Sequence, residues 1–97
     1  MIVEIKNINL NEKTALGVKM NLPSTPVLLI RAKNGHVMCR YFDIKTAEKL
    51  GHSAVLVSGV KNFEDMLNAK VKDITPKAKE LGVKKNMTGK EALEKLF

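Results

Sequence analysis

Tryptophan and glutamine are absent from this 97-residue chain, cysteine occurs once, and only four aromatic side chains are present. The lone cysteine, Cys39, excludes an intramolecular disulfide and a multi-cysteine zinc site within one chain, and it fits a reducing compartment. No apolar run approaches the roughly 18 to 20 residues that a membrane span needs, and no low-complexity tract or internal repeat interrupts the chain. Met1-Ile2-Val3-Glu4 places an acid where a secretory signal would carry basic residues. A cytoplasmic protein without membrane association is therefore expected. The P-loop and dinucleotide-binding fingerprints are also missing, so no cofactor and no metal are expected.

What is present is ordinary for a globular protein: 44% hydrophobic and 28% charged residues, distributed without a break in composition. The length fits one domain over residues 1–97, which would bury only about 60 to 65% of the surface exposed by its unfolded chain. Self-association would enlarge so small a core. The net charge of +7 comes from fifteen Lys and two Arg, a composition that leans towards a thermophile.

Residues 1–22 read as a β-hairpin, because Leu16, Val18, Met20 and Leu22 alternate with Ala15, Gly17, Lys19 and Asn21. The turn is placed at Asn11-Glu12-Lys13. In the first strand the apolar positions change from odd (Val3, Ile5) to even (Ile8, Leu10), which predicts a β-bulge near Asn7. Pro23 and Pro26 end this unit, and residues 26–97 form an α/β core. Val27-Leu28-Leu29-Ile30 reads as a strand covered on both faces, Asn34-Gly35 as a two-residue type I′ turn, and His36 to Phe42 as the returning strand. Strand and helix patterns then alternate. Asp43 caps a helix that buries Ile44, Ala47 and Leu50 and stops at Gly51. Ala54-Val55-Leu56-Val57 is a fully apolar strand, and Asn62 caps a helix burying Phe63, Met66 and Leu67. A strand from Lys70 to Ile74 precedes Thr75-Pro76, which opens a helix closed by Gly82 and burying Ala78 and Leu81. Thr88-x-x-Glu91 is a capping box.

Helices of about two turns do not persist in water without packing, so a sheet must organise the fold. The expected architecture is α/β (α+β mixed): an N-terminal antiparallel meander leading into a β-α-β-α-β unit, with short helices on one face of a mixed sheet. The opposite face needs another cover: the N-terminal hairpin could fold over it or meet its copy in a second subunit, and the second is favoured, because a lone hairpin is marginally stable.

Pairing across a two-residue Asn34-Gly35 loop sets Lys33 opposite His36, Arg31 opposite Met38 and Leu29 opposite Arg40. Lys33, Arg31, His36 and Arg40 then share a face, and the two arginines become diagonal neighbours. Arginine suits bidentate phosphate or carboxylate recognition, which motivates a ligand site for a small anion at Arg31, Arg40 and His36, with Lys61 beside Gly59 as a further contributor. The plainer alternative pairs each arginine with an acidic residue across a subunit interface. Cys39 is a candidate catalytic nucleophile, but strand alternation turns it away from His36, so a buried structural cysteine is the competing reading. His52 reads as an exposed loop residue. Seven Lys between Lys70 and Lys90 raise the question of nucleic acid, yet no aromatic lies among them to stack bases, and a solvated cationic face is preferred.

Three segments carry a family resemblance: Gly35-His36-Val37-Met38-Cys39-Arg40-Tyr41-Phe42, Ser58 through Val71 (SGVKNFEDMLNAKV), and Met87-Thr88-Gly89-Lys90-Glu91-Ala92-Leu93. In order and spacing they resemble the YunC-like family of bacterial and archaeal proteins of unknown function. The resemblance implies a small α/β domain whose N-terminal β region mediates tetramerisation, and it implies no established activity. Arg40 stands where the family pattern has Gly, so a pocket left there by a missing side chain would be filled. The functional expectation is thus a homotetrameric α/β protein binding a small anionic metabolite. An enzyme using Cys39 and a structural or interaction module are the alternatives.

Overall fold

The computed structural model describes residues 2–97. Among them, six strands form one sheet in the order β1-β2-β3-β4-β5-β6, accompanied by four short helices. The strands are β1 (Val3–Leu10), β2 (Lys13–Asn21), β3 (Pro26–Arg31), β4 (His36–Met38), β5 (Ala54–Leu56) and β6 (Asp73–Ile74). The helices are α1 (Ile44–Lys49), α2 (Phe63–Asn68), α3 (Pro76–Glu80) and α4 (Gly89–Glu94). β1 through β4 make the expected antiparallel meander, β4 and β5 are parallel, and β5 and β6 are antiparallel. The sheet is mixed, as expected, although the last strand is shorter than Lys70 to Ile74 and returns antiparallel.

The β1–β2 register runs unbroken from Val3↔Met20 to Leu10↔Lys13, so the expected bulge at Asn7 is absent. The apolar switch has another cause. Ile8 and Leu10 point into the main core, whereas Val3 and Ile5 point to the opposite face of the sheet, which no other described residue covers there. The turn needs only Asn11 and Glu12, with Asn11 in the left-handed region at φ 56°, a conformation Asn tolerates.

The second hairpin also differs from expectation. Arg31 lies opposite His36, not Met38, and the loop is the four-residue Ala32–Gly35, closed by the Ala32 N–H donating to the Gly35 carbonyl at 2.8 Å. Gly35 is needed for closeness, not for turn conformation: a Cβ there would collide with the Ser53 carbonyl oxygen. Asn34 is spent on a tertiary bond, its N–H donating to the Leu96 carbonyl at 2.7 Å. Because the register moves by two, every residue keeps its face. β4 also ends at Met38, well short of Phe42, where the Phe42 N–H turns back to the Cys39 carbonyl at 3.2 Å.

One face of the sheet, including Leu28, Ile30, Val37, Val55 and Val57, is covered by Phe63 and Met66 of α2, Ala78 of α3, and Ala92 and Leu93 of α4. α1 departs from the one-face expectation. Its Ala47 and Ile44 pack against Met38, Ala54, Leu29 and Leu56 on the other side. Leu50, expected in the buried stripe of α1, is 64% exposed. Beyond α1, the outer face of β1–β3 is bare and apolar: Ile5 is 66% exposed, Met20 44% and Leu16 42%.

All four helices start at the expected caps. The Asp43 carboxylate accepts from the Lys45 N–H, the Asn62 side chain from Asp65, Thr75 from Ala78 and Thr88 from Glu91. With helices of five or six residues, these caps satisfy a large share of the free N-terminal amides.

Candidate functional site

The ends of β3, β4 and β5 meet the α1–β5 loop and α3 around an open cleft of about 500 Å³. Its walls carry Arg31, Lys33, His36, His52 and Lys77, with Ser53, Gly35 and Leu81 between them. Among the described residues, no carboxylate lines it.

Each basic side chain is brought there for a local reason. Arg31 closes β3 and His36 opens β4, and their direct pairing sets both on the same sheet face. Lys33 projects from the loop that joins them. His52 follows the stop of α1, where Gly51 adopts φ +75° and so frees the chain to turn towards β5. The His52 backbone is held at both ends: its N–H donates to the Ala47 carbonyl at 2.9 Å, and its carbonyl accepts from Thr75 Oγ1 at 2.7 Å. The two imidazoles meet edge to face, with centroids 5.7 Å apart and planes at 79°. Lys77, on the first turn of α3, lies over Gly51, its Nζ 3.7 Å from where a Cβ on that glycine would stand.

The surroundings of His36 disfavour its charged form. Burial, then the neighbouring His52 and Arg31, hold the His36 imidazole below its usual pKa. All three causes disfavour a charge on His36, and a bound anion would reverse the two coulombic ones. A second hollow adjoins this cleft, shares Arg31 and Lys33, and adds Lys13, Thr14 and Phe97. The Lys13 ammonium sits 5.6 Å above the Phe97 ring, within cation–π range.

Of the residues marked from sequence, Arg31 and His36 belong to the cleft. Arg40 does not: the register shift and the early end of β4 leave it exposed in the following turn, and it is not the diagonal neighbour of Arg31 that a two-residue loop would have made it. Lys61 stands apart in the loop before α2, its N–H donating to Asp65 Oδ2 at 3.0 Å. Cys39 is buried in the main core, where its Sγ accepts the Leu28 N–H at 3.3 Å. His52 is the exposed loop residue the sequence indicates, but the sequence singles out neither it nor Lys77 for the site, because only the tertiary fold brings α3 against the α1–β5 loop. The Lys70–Lys90 lysines are dispersed: Lys77 enters the cleft, Lys79, Lys84 and Lys85 line a hollow with Glu48 and Asp73, and Lys70 reaches the Asn86 carbonyl at 3.4 Å. Among the described residues, no cluster of His, Cys, Asp or Glu is placed to hold a metal ion, and no helix is long and apolar enough to cross a membrane.

Residues 38–96 match the family described as Domain of unknown function (DUF1805). The chain belongs to the DUF1805 family. It is 28% identical over 100 residues to the uncharacterized protein YunC of Bacillus subtilis (strain 168), covering 99% of both chains. Its fold matches the crystal structure of TA1206, a protein of unknown function from Thermoplasma acidophilum, with a TM-score of 0.92 at 33% identity over 98% of this chain and 93% of the other. The matched DUF1805 segment begins at Met38, so it includes His52 and Lys77 of the cleft, whereas Arg31, Lys33 and His36 come from the preceding hairpin.

Proposed function

We propose that this protein binds a small anionic ligand in the cleft between the ends of β3, β4 and β5. The observation that carries the reading is the convergence of Arg31, Lys33, His36, His52 and Lys77 on one cavity with no carboxylate among the described lining residues. Clustered cations of this kind repel one another unless an anion joins them, and they concentrate anions from solution. Arg31 supplies a planar fork for two oxygens, while the lysines act as mobile point charges. The test is thermal unfolding in phosphate, sulfate or citrate against chloride at matched ionic strength. A ligand that binds only the folded state raises its stability by mass action, so the multivalent anions are expected to raise Tm, and Arg31→Ala/Lys77→Ala to remove the increase. Equal Tm in all four salts would overturn the reading.

We also propose that the chain self-associates through the outer face of its N-terminal strands, as a homotetramer in which two such faces meet. The support is the apolar surface made by exposed Met20, Tyr41 and Phe42 with half-buried Val18, Val27 and Leu29, which line a shallow hollow, continuous across the strand pairs with Ile5. A contiguous apolar face of this kind is uncommon on a monomer. Sedimentation velocity over a range of concentrations tests it, and a monomer at all concentrations would sink it.

A further inference from the structure

We propose, resting on the anion-site reading, that the ligand of this cleft is a phosphate monoester on a small polar body, and that His36, which meets His52 edge to face, takes up a proton when it binds. Three features select this class. The first is charge. Arg31, Lys33 and Lys77 carry three permanent positive charges around one cleft, with no acidic lining residue among those described. A monocarboxylate would leave most of that charge unmatched. A phosphate monoester brings about −1.5 to −2 charges and three acceptor oxygens, enough to engage the guanidinium fork and an ammonium together.

The second feature is the pair of imidazoles at 5.7 Å. A neutral imidazole offers one donor and one acceptor, whereas imidazolium offers two donors. Oxyanions therefore favour the protonated rings. The groups facing the pair are Arg31 from β3, Lys33 from the hairpin loop and Lys77 from α3, all cationic. Without an anion, Arg31 and His52 oppose protonation of His36, and with a dianion in place that opposition is offset. Above the second ionisation of a phosphate monoester, near 6, the ester enters as the dianion, so a proton gained by the ring is drawn from the buffer.

The third feature is the wall. Gly35, Gly51, Ser53 and Asn34 make it small and polar, Leu81 adds one apolar patch, and the imidazoles are its only rings among the described residues. A cleft of about 500 Å³ accommodates a sugar-sized body, but no flat apolar slot is present to grip a nucleobase.

Isothermal titration of the full chain with a hexose 6-phosphate, sulfate and gluconate, at about pH 7 and about pH 8 and in two buffers of different ionisation enthalpy, tests the proposal. The hexose phosphate is expected to bind at least about tenfold more tightly than gluconate, as charge-assisted bonds of this number warrant, with net proton uptake from the buffer and weaker binding at the higher pH. His36→Asn is expected to reduce the uptake while phosphate binding persists, weakened; His52→Asn, which leaves the backbone bonds of His52 in place and removes its contact with His36, is the second variant. Gluconate binding as tightly as the hexose phosphate, or uptake that is zero or unchanged in both variants, would overturn the inference while leaving an anion site in place. No binding of any of the three probes would overturn the underlying reading itself.

Discussion

Cys39 shows how a reactive side chain can be committed to structure. Its Sγ is the acceptor for the Leu28 N–H inside the main core, so Cys39→Ala both empties a small volume and orphans a buried amide. Loss of a buried partner costs about 1 to 3 kcal/mol, and the variant is expected to fall in that range by urea denaturation. The thiol is expected to resist aromatic disulfide reagents until the protein unfolds. Fast labelling of the native protein would restore Cys39 as a nucleophile. His36 makes the pH prediction at this scale. Its pKa is lower in the folded state than in the unfolded chain, so between those two values the unfolded state binds more protons and stability rises with pH. The contribution is fully present above about pH 6.5 and is lost as pH falls below it. Denaturation midpoints measured at steps from about pH 8 to pH 5 are expected to decline in the acid half, and His36→Asn to flatten that part of the curve. Saturating phosphate is expected to lessen the decline in the native protein.

At the scale of elements, Thr75 ties a helix to a strand and to the cleft. Its buried hydroxyl accepts from the Ala54 N–H of β5 at 3.0 Å and from the Ala78 N–H at the start of α3 at 3.3 Å, and it donates to the His52 carbonyl at 2.7 Å. Thr75→Val keeps the shape and removes all three bonds. Loss of a cap is worth about 1 kcal/mol and an orphaned buried amide about 1 to 3 kcal/mol, so destabilisation of at least about 2 kcal/mol is expected, with Thr75→Ser close to the native protein. Because the same bond fixes the His52 carbonyl, Thr75→Val is also expected to weaken anion affinity in the folded protein, and unchanged affinity would show that His52 is positioned without it. The caps at Asp43, Asn62, Thr75 and Thr88 were legible in the sequence because capping is local, a side chain meeting an amide two or three residues on. The Ala32–Gly35 loop was not, because Gly35 is dictated by Ser53, eighteen positions away, and Asn34 by Leu96. The same limit hid half the cleft. Arg31 and His36 could be set on one face from the strand pattern, though not paired, but Lys77 reaches them only through the docking of α3, and Arg40 looked adjacent only under the shorter loop.

For the whole molecule the decisive asymmetry lies between the two faces of the sheet. One is sealed by α2, α3 and α4, while the other has only α1, packed at the β4–β5 end, and lies bare over β1–β3. The apolar residues of that bare face cannot be explained by the monomer's own core. Val3 pairs with Met20 and Met20 with Val27, and Ile5 pairs with Val18 and Val18 with Leu29, so two apolar rows cross the three strands side by side. Arg31 lies on the same face, opposite Leu16, which places the cationic cleft at the border of this surface. Ile5→Lys/Met20→Lys puts one cation in each row at positions already 66% and 44% exposed. In a monomer such surface changes cost within about 0.5 kcal/mol. In an assembly they would drive charge into an apolar contact, where a buried unpaired ion costs several kcal/mol. The expected outcome is loss of the tetramer to smaller species in sedimentation velocity, with the urea midpoint falling only as far as the loss of association requires. If the assembly survives both substitutions unchanged, it is built on another surface, and the bare face of β1–β3 would need a different occupant.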